Sequence, residues 1–332
     1  MDRAHLAVLL SPYGVNQFES FRVVDSSKPN DYRLNIIIDR RYVLRINDPV
    51  ITEERLGAID RLAERYRQIG VKAPRLFQNA DGLYLTKAGD HVCYLSEYLD
   101  YPTLWEVEDQ LTAAQQAAVR QSVLASIGRL SQAYSGVDLQ PVFSMWSIID
   151  LAPLDVEIDE KQDNLNLLVQ ALRNAGAGET AQRVIAFNEA NRAKIRQVFP
   201  DLPRCVIQGD LNGGNILIEN GQFAGIIDFN MAGTEVNINH FCCETNDGMQ
   251  EEDFEDYSAA EIFDRMQETS RRNLREILAH YTLNETERSV IRNYWNLVML
   301  SQYPNVCQYI KGLKTHPDKA LALIERIVSQ EI

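Results

Sequence analysis

The 332-residue chain is short of several things, and each absence removes a class of function. Its five cysteines (Cys93, Cys205, Cys242, Cys243 and Cys307) are an odd number without a C-x-x-C spacing. That fits reduced thiols in a cytoplasmic protein better than a disulfide framework or a zinc site. The adjacent Cys242 and Cys243 could form a redox pair, although small buried hydrophobes are the plainer reading. The five histidines (His5, His91, His240, His280 and His316) include no H-x-x-x-H or H-E-x-x-H arrangement, which removes the usual histidine-based zinc site. No apolar run is long enough to span a bilayer. Met1 to Tyr13 also lacks a basic region followed by an apolar block, so neither secretion nor membrane insertion is expected. Basic residues are outnumbered, 33 Lys and Arg against 47 Asp and Glu. The net charge of −14 leaves no cationic surplus to displace counterions from nucleic acid. Internal repeats and low-complexity linkers are missing as well.

What is present is ordinary for a folded soluble protein: 45% hydrophobic and 24% charged residues, enough for one large domain or two modest ones. The charge is unevenly placed. Residues 1–99 hold 14 Lys and Arg against 13 Asp and Glu, which leaves 19 against 34 in residues 100–332. The whole negative excess lies in the second part, and two lobes with different partners are expected, a solvated acidic surface accounting for most of the excess.

The first lobe reads mainly as strands. Asn35–Ile38 and Tyr42–Ile46 are β-rich runs joined by a hairpin at Asp39-Arg40-Arg41. Leu56, Ile59, Leu62 and Tyr66 recur at helical spacing from Glu53 to Gln68, with Gly70 and Pro74 beyond. Gly82–Thr86 and His91–Tyr98 are expected as further strands. Beyond Asp100 the chain reads as helical: from a capping box at Thr112-Ala113-Ala114-Gln115 to about Tyr134, then over roughly 160–174, 178–198, 255–280 and 285–302. One β island, Cys205 to Phe229, interrupts the helices. The pattern is α+β.

The island carries the chemistry. Asn220-Gly221 between Ile216–Ile218 and Phe223–Ile227 is a two-residue hairpin signal, which places position 215 across from 226 and Asp228 within a residue or two of Asn215. Asp210 enters the same end through a glycine-rich loop. Two carboxylates and an amide thus converge without histidine or cysteine. Oxygen-only ligands suit Mg²⁺, which takes its remaining oxygens from waters and substrate phosphates. The other aspartate can orient an attacking hydroxyl and accept its proton, the division of labour in phosphoryl transfer. A surface hairpin with polar ends is the competing reading.

Gly209-Asp210-Leu211, then Asn215-Ile216-Leu217, then Ile227-Asp228-Phe229 resembles the aminoglycoside phosphotransferase and choline kinase-like enzymes, small-molecule relatives of the protein kinases. The resemblance covers roughly residues 15–235 in element order. It implies a two-lobed, protein-kinase-like fold with a nucleotide-binding N-terminal lobe (1–99) and a helical C-terminal lobe (100–332) holding the catalytic loop, 207–229, and the acceptor site. It also implies ATP or GTP as donor and Mg²⁺ as cofactor. By resemblance, Asp210 is the catalytic base or hydroxyl-orienting group, Asn215 and Asp228 hold magnesium, Arg45 contacts phosphate, and the backbone of Glu97, Tyr98 and Leu99 receives adenine. Among Glu54, Asp60 and Glu64, the family spacing favours Asp60 as the acidic partner of Arg45.

The chain departs from the family in three places. Gln208 stands where His usually precedes Gly-Asp, an amide that can still brace the loop. Arg45 replaces a frequent Lys, keeps the charge and can bind phosphate in bidentate fashion. No G-x-G-x-x-G is present, and Asp25 to Asp31 must cover the phosphates with other turn residues. A non-catalytic nucleotide-binding relative is the alternative, and retention of Asp210, Asn215 and Asp228 argues against it. Protein kinase activity ranks lower, since no Ala-Pro-Glu pattern follows Asp228.

The acceptor is expected to be a small-molecule hydroxyl. From Ala232 to Asp264 there are ten acidic residues (Glu235, Glu244, Asp247, Glu251, Glu252, Asp253, Glu255, Asp256, Glu261, Asp264) and no Lys or Arg, which favours a cationic acceptor such as an amino sugar or amino alcohol. Tyr294, Trp295, Tyr303, Tyr309 and Trp105 are either walls of that pocket or helix core.

Overall fold

Side-chain alternation organises the first sheet. In chain order come α1 (Arg3–Leu10), β1 (Phe21–Asp25), β2 (Arg33–Ile38), β3 (Tyr42–Asn47), α2 (Glu53–Gln68), β4 (Leu76–Phe77), β5 (Thr86–Ala88) and β6 (His91–Glu97). The structure, a computed structural model, describes residues 2–250 and 252–332; Met1 and Glu251, one of the ten acidic residues above, lie outside them. The strands form an antiparallel sheet in the order β1-β2-β3-β6-β4, with β5 also paired to β6. Ile36, Ile38, Leu44, Ile46, Cys93 and Leu95 share one buried cluster with Leu6, Leu9 and Leu10 of α1. Arg45, one residue from Leu44 and Ile46, therefore projects from the opposite face of β3. The turn between β2 and β3 has Asp39 and Arg40 at φ 50° and 52°, the twist that tight hairpins require.

α2 begins and ends where its sequence signals lie. Thr52 Oγ1 accepts from Arg55 N at 3.1 Å, and Gly70 follows at φ 83°. Such a cap is worth about 1 kcal/mol. Buried Leu56, Ile59, Leu62 and Tyr66 form its inner stripe.

After β6 the order is α3 (Leu104–Val107), α4 (Ala113–Tyr134), α5 (Glu160–Asn174), α6 (Gly178–Val198), β7 (Arg204–Ile207), β8 (Ile216–Glu219), β9 (Gln222–Ile226), β10 (Gly233–Val236), α7 (Asn237–Thr245), α8 (Asp253–Asp256), α9 (Ala259–Leu278), α10 (Glu285–Ser301), α11 (Tyr303–Thr315) and α12 (Pro317–Val328). This is an α+β chain with a β-rich beginning and a helical remainder, as the kinase-like reading requires. Among the described residues no helix is long and apolar enough to cross a membrane.

The chain divides into two compact units. The first comprises residues 1–119 and 210–230, so the β8–β9 hairpin belongs with the first sheet's unit. The second comprises residues 120–209 and 231–332. Its core joins Leu165, Leu168 and Leu172 of α5 with Val184 and Phe187 of α6 and with Leu323, Ile324 and Ile327 of α12.

Several elements differ from expectation. The strand expected at Gly82–Thr86 begins only at Thr86, because residues 79–83 form a turn in which Asn79 Oδ1 accepts from Asp81 N and Leu83 N, both at 3.0 Å. The helix expected over 255–280 is interrupted at Tyr257, and α9 starts afresh from a capping box between Ser258 and Glu261. All five cysteines are unbridged, four of them buried. Burial pushes the Cys243 thiol up to about 12, and the pair at 242–243 packs as small apolar side chains.

Candidate functional site

The β8–β9 hairpin turns at Asn220 and Gly221, with φ 53° and 75°. Pairing runs Glu219 with Gln222 and Ile218 with Phe223, then shifts at a bulge, so that Leu217 meets Gly225 and Ile216 meets Ile226. The extra residue moves the open end by one. Asn215 lies opposite Ile227, whose N–H donates to the Asn215 carbonyl at 2.9 Å, and not opposite 226 as the unbulged register predicts. Gly225 sits where Lys72 O would stand 2.3 Å from a Cβ, so close approach of backbone explains the glycine. Asp228 follows directly, in the left-handed region at φ 58°.

Asp210 meets Asn215 as the spacing suggests. Asn215 Nδ2 donates to the Asp210 carbonyl at 2.8 Å and to Asp210 Oδ2 at 2.9 Å. Asn212, which the sequence reading did not single out, donates from Nδ2 to Asp210 Oδ1 at 2.8 Å and accepts from Gly214 N at 2.8 Å. Both carboxylate oxygens of Asp210 thus accept from side-chain amides. The glycines of this loop answer to packing: a Cβ at Gly213 or Gly214 would come within 2.4 and 2.9 Å of the Trp105 ring. Trp105 is otherwise 65% exposed and lies over this loop, outside any core.

Arg45 reaches the same hairpin. Its Nη1 lies 3.8 Å from Asp228 Oδ1, and its Nε is buried without a hydrogen-bond partner. Burial alone would lower the guanidinium's pKa; Tyr94, then Asp228, outweigh it, and the group stays above the ordinary arginine value. Asp60 is not its partner. Asp60 accepts from Leu76 N at 3.1 Å and from Tyr84 Oη at 3.0 Å, which joins α2 to β4 and to the segment after it. Glu64 is likewise engaged, 2.7 Å from Arg67.

At the end of β6, Glu97 N donates to Arg75 O at 2.8 Å and Tyr98 N to Arg41 O at 2.9 Å. The Leu99 carbonyl accepts from Tyr101 N at 2.9 Å, while the Leu99 N–H makes no hydrogen bond among the described residues. The turn expected to cover phosphate is a tight hairpin: Lys28 and Asp31 exchange backbone bonds around Pro29-Asn30, with Asn30 at φ 62°.

In the second unit, Gln208 is fully buried. The residue after it, Gly209, has φ 83°, and a Cβ there would meet Met231 O at 2.4 Å. Its carbonyl accepts from Trp146 Nε1 at 2.6 Å. Trp146 lies 63 positions upstream, and no local pattern links the two.

Much of the acidic run is committed to structure. Asp247 pairs with Arg120 at 2.7 Å and Asp264 with Arg326 at 3.2 Å, Glu261 closes a capping box, and Asp253 accepts from Gln250 N at 2.8 Å. Glu235 is buried, with Ser147 Oγ and Val236 N donating to it at 3.0 and 2.7 Å; burial still pushes its carboxyl up to about 7. Tyr294 and Tyr309 are fully buried core residues, Tyr303 is exposed, and Trp295 is half-buried.

The donor set at the hairpin is two carboxylates and an amide oxygen, all hard oxygen ligands. Among the described residues no three His, Cys, Asp or Glu side chains form a metal cluster, so any cation here would rely on Asn215 and on oxygens from its ligand. The bonds that commit Asn215 Nδ2 turn its Oδ1 away from Asp210, which fits that role.

A model of the phosphotransferase enzyme family (APH) matches residues 29–235. No curated protein sequence matches significantly. Among solved structures, an aminoglycoside phosphotransferase from Alicyclobacillus acidocaldarius is 11% identical, with a TM-score of 0.52 over 96% of this chain and 94% of the other. A spectinomycin phosphotransferase solved with ADP and spectinomycin is 9% identical, with a TM-score of 0.51 over 99% and 96%. At such identities the structural likeness speaks for the fold. The family match covers more than half of the chain and includes the hairpin with Asp210, Asn215 and Asp228, so this chain belongs to the phosphotransferase enzyme family and is a small-molecule kinase.

Proposed function

We propose that the enzyme transfers the γ-phosphoryl group of ATP or GTP to a hydroxyl of a small molecule. The observation that carries this reading is the double hold of Asn215 Nδ2 on Asp210, with Arg45 3.8 Å from Asp228 at the other side of the same hairpin. Asp210 orients the acceptor hydroxyl and takes its proton as the oxygen–phosphorus bond forms and the bond from the γ-phosphorus to the β-phosphate's bridging oxygen breaks. Asn215 Oδ1 and Asp228 would hold Mg²⁺, which when bound offsets charge on the phosphates. Arg45, with its unpartnered Nε, meets phosphate oxygen from the other side.

In this reading residues 1–99 bind nucleotide. Among the described residues the Leu99 N–H is the one backbone donor of the Glu97–Leu99 segment without a hydrogen bond, and it suits an adenine ring nitrogen. The acceptor is proposed to be cationic. Its support is the balance of 19 basic against 34 acidic residues over 100–332, which raises the local concentration of positively charged ligands. The two structural relatives described above are named as a spectinomycin phosphotransferase and an aminoglycoside phosphotransferase, which supports the same reading. No observation favours the non-catalytic alternative.

The test is calorimetry of ATP binding with and without Mg²⁺, on wild type and Asp228→Asn. Asn tolerates the left-handed backbone at 228, so the variant removes charge and little else. Magnesium-dependent binding that weakens in the variant is expected. Failure of the wild type to bind either ATP or GTP would overturn the proposal. Turnover confined to neutral or anionic alcohols in an acceptor panel would remove the cationic substrate alone.

A further inference from the structure

In the second unit, α9 and α10 both pack on α7 and leave between them a groove of about 260 Å³. Cys242 of α7 forms part of its wall, and Leu274, Ile291 and Trp295 supply most of the rest. Ser270, Arg271 and Leu274 reach it together because positions three and four apart share a helix face.

Two features of this groove point to a ligand. Ser270 is 2% exposed, and its hydroxyl has no hydrogen-bond partner. The buried helical serines Ser126 and Ser301 bond a carbonyl of the preceding turn, Ser301 to Leu297 O at 2.6 Å; Ser131 shares the lack of a partner with Ser270, but Ser270 lines the groove. A buried hydroxyl left without a partner is destabilising, and a ligand atom would relieve it. The second feature is Arg271 at the rim. It is exposed and makes no ion pair or hydrogen bond among the described residues. Arg292 at the same rim is already neutralised by Glu331 at 2.9 Å. The groove thus joins an aromatic and aliphatic slot to one unsatisfied hydroxyl and one uncompensated positive charge.

We propose that this groove binds a small aromatic monoanion. Its ring lies against Trp295, Leu274 and Ile291, a polar atom meets Ser270 Oγ, and its carboxylate meets Arg271. A single unpaired guanidinium selects one negative charge: a cation is repelled, and a neutral ligand leaves the guanidinium as it was. Arg45, Asp210, Asn215 and Asp228 belong to the other compact unit, and the inference does not depend on the roles proposed for them.

The test titrates the full-length protein with 2-naphthoate, 2-naphthylmethanol and 2-naphthylmethylamine, three ligands with one ring and different charge, by calorimetry and saturation-transfer NMR. The expected order is naphthoate at least tenfold tighter than the alcohol, with the amine weakest. Leu274→Trp fills the slot and should abolish binding of all three. Arg271→Glu changes an exposed residue, leaves the melting temperature unmoved and should invert the order of acid and amine. Equal binding of acid and alcohol, no binding of any, or an order unchanged in Arg271→Glu would each overturn the proposal. Should Leu274→Trp fail to fold, the charge reversal alone decides.

Discussion

Asn215 holds Asp210 at two points with one amide nitrogen, the backbone carbonyl at 2.8 Å and Oδ2 at 2.9 Å. Five residues of loop are thereby closed on themselves, and the carboxylate is aimed before any ligand arrives. Asn215→Ala removes the hold and the amide oxygen together. Transfer should slow by about 10²-fold or more, the usual worth of a positioned acid–base group. The melting temperature should also fall somewhat, since two hydrogen bonds of a buried side chain are lost. Measuring ADP release to water as acceptor checks this without knowledge of the natural substrate; an unchanged rate would remove Asn215 from the machinery.

Arg45 stands 3.8 Å from Asp228 with its Nε buried and unpartnered. Its charge persists at any pH the fold survives, because the surroundings hold its pKa above the ordinary arginine value. Arg45→Met should weaken nucleotide binding by roughly 10- to 100-fold, the range for one charged hydrogen-bond partner. Arg45→Lys should recover part of that loss, since the charge is kept and the planar fork is not. Titration with ADP and with adenosine separates the roles. The deficit belongs to ADP; an equal deficit for adenosine would mean that Arg45 shapes the sheet instead.

How far the sequence reaches is visible in particular residues. α2, α5 and α6 lie where their periodicity and punctuation put them, because caps such as Thr52 and Asp159 and stops such as Gly70 act within a few residues. The Asn220-Gly221 turn is local in the same sense. Asp210 and Asn215 could be placed together because the hairpin brings short spacings into register. What escaped depends on contacts distant in sequence. Gly225 answers to the close approach of Lys72, the true neighbour of Arg45 is 183 positions away, and Asp60 is claimed by Leu76 and Tyr84. The break at Tyr257 was legible in principle: Ser258 and Glu261 spell a capping box inside the expected helix.

Trp146 and Met231 pack against Gly209, the residue before Asp210. Gly209→Ala adds a Cβ 2.4 Å from Met231 O at a φ of 83°, so the backbone must shift. Trp146→Phe keeps the ring's bulk and removes the 2.6 Å bond to the Gly209 carbonyl. The glycine variant should lose most activity and melt at lower temperature. The tryptophan variant should cost about 1 kcal/mol, one hydrogen bond's net worth, with kcat falling and the nucleotide KM unchanged. A KM effect equal to the kcat effect would show that Trp146 acts on the whole fold and not on the loop's aim.

Glu235 gives the protein a pH dependence of definite sign. Burial raises its carboxyl to about 7, so between pH 4.5 and 7 the folded chain keeps a proton that the unfolded chain gives up. Its contribution to stability is fully present below about pH 4.5 and is lost as the pH rises through about 7. At about 1.4 kcal/mol per pKa unit, the loss is on the order of 3 kcal/mol. His240 works in the opposite direction. Burial lowers it to about 3, and its stabilising effect is lost as the pH falls from 6.5 toward 3. Glu235→Gln removes the first effect and leaves the second, while the amide can still accept from Val236 N and bond Ser147. The melting temperature of the variant minus that of wild type should therefore climb from pH 5 to pH 8. A difference that falls with pH would mean that Glu235 is ionised in the fold and paired with the buried Lys161, whose charge it also faces.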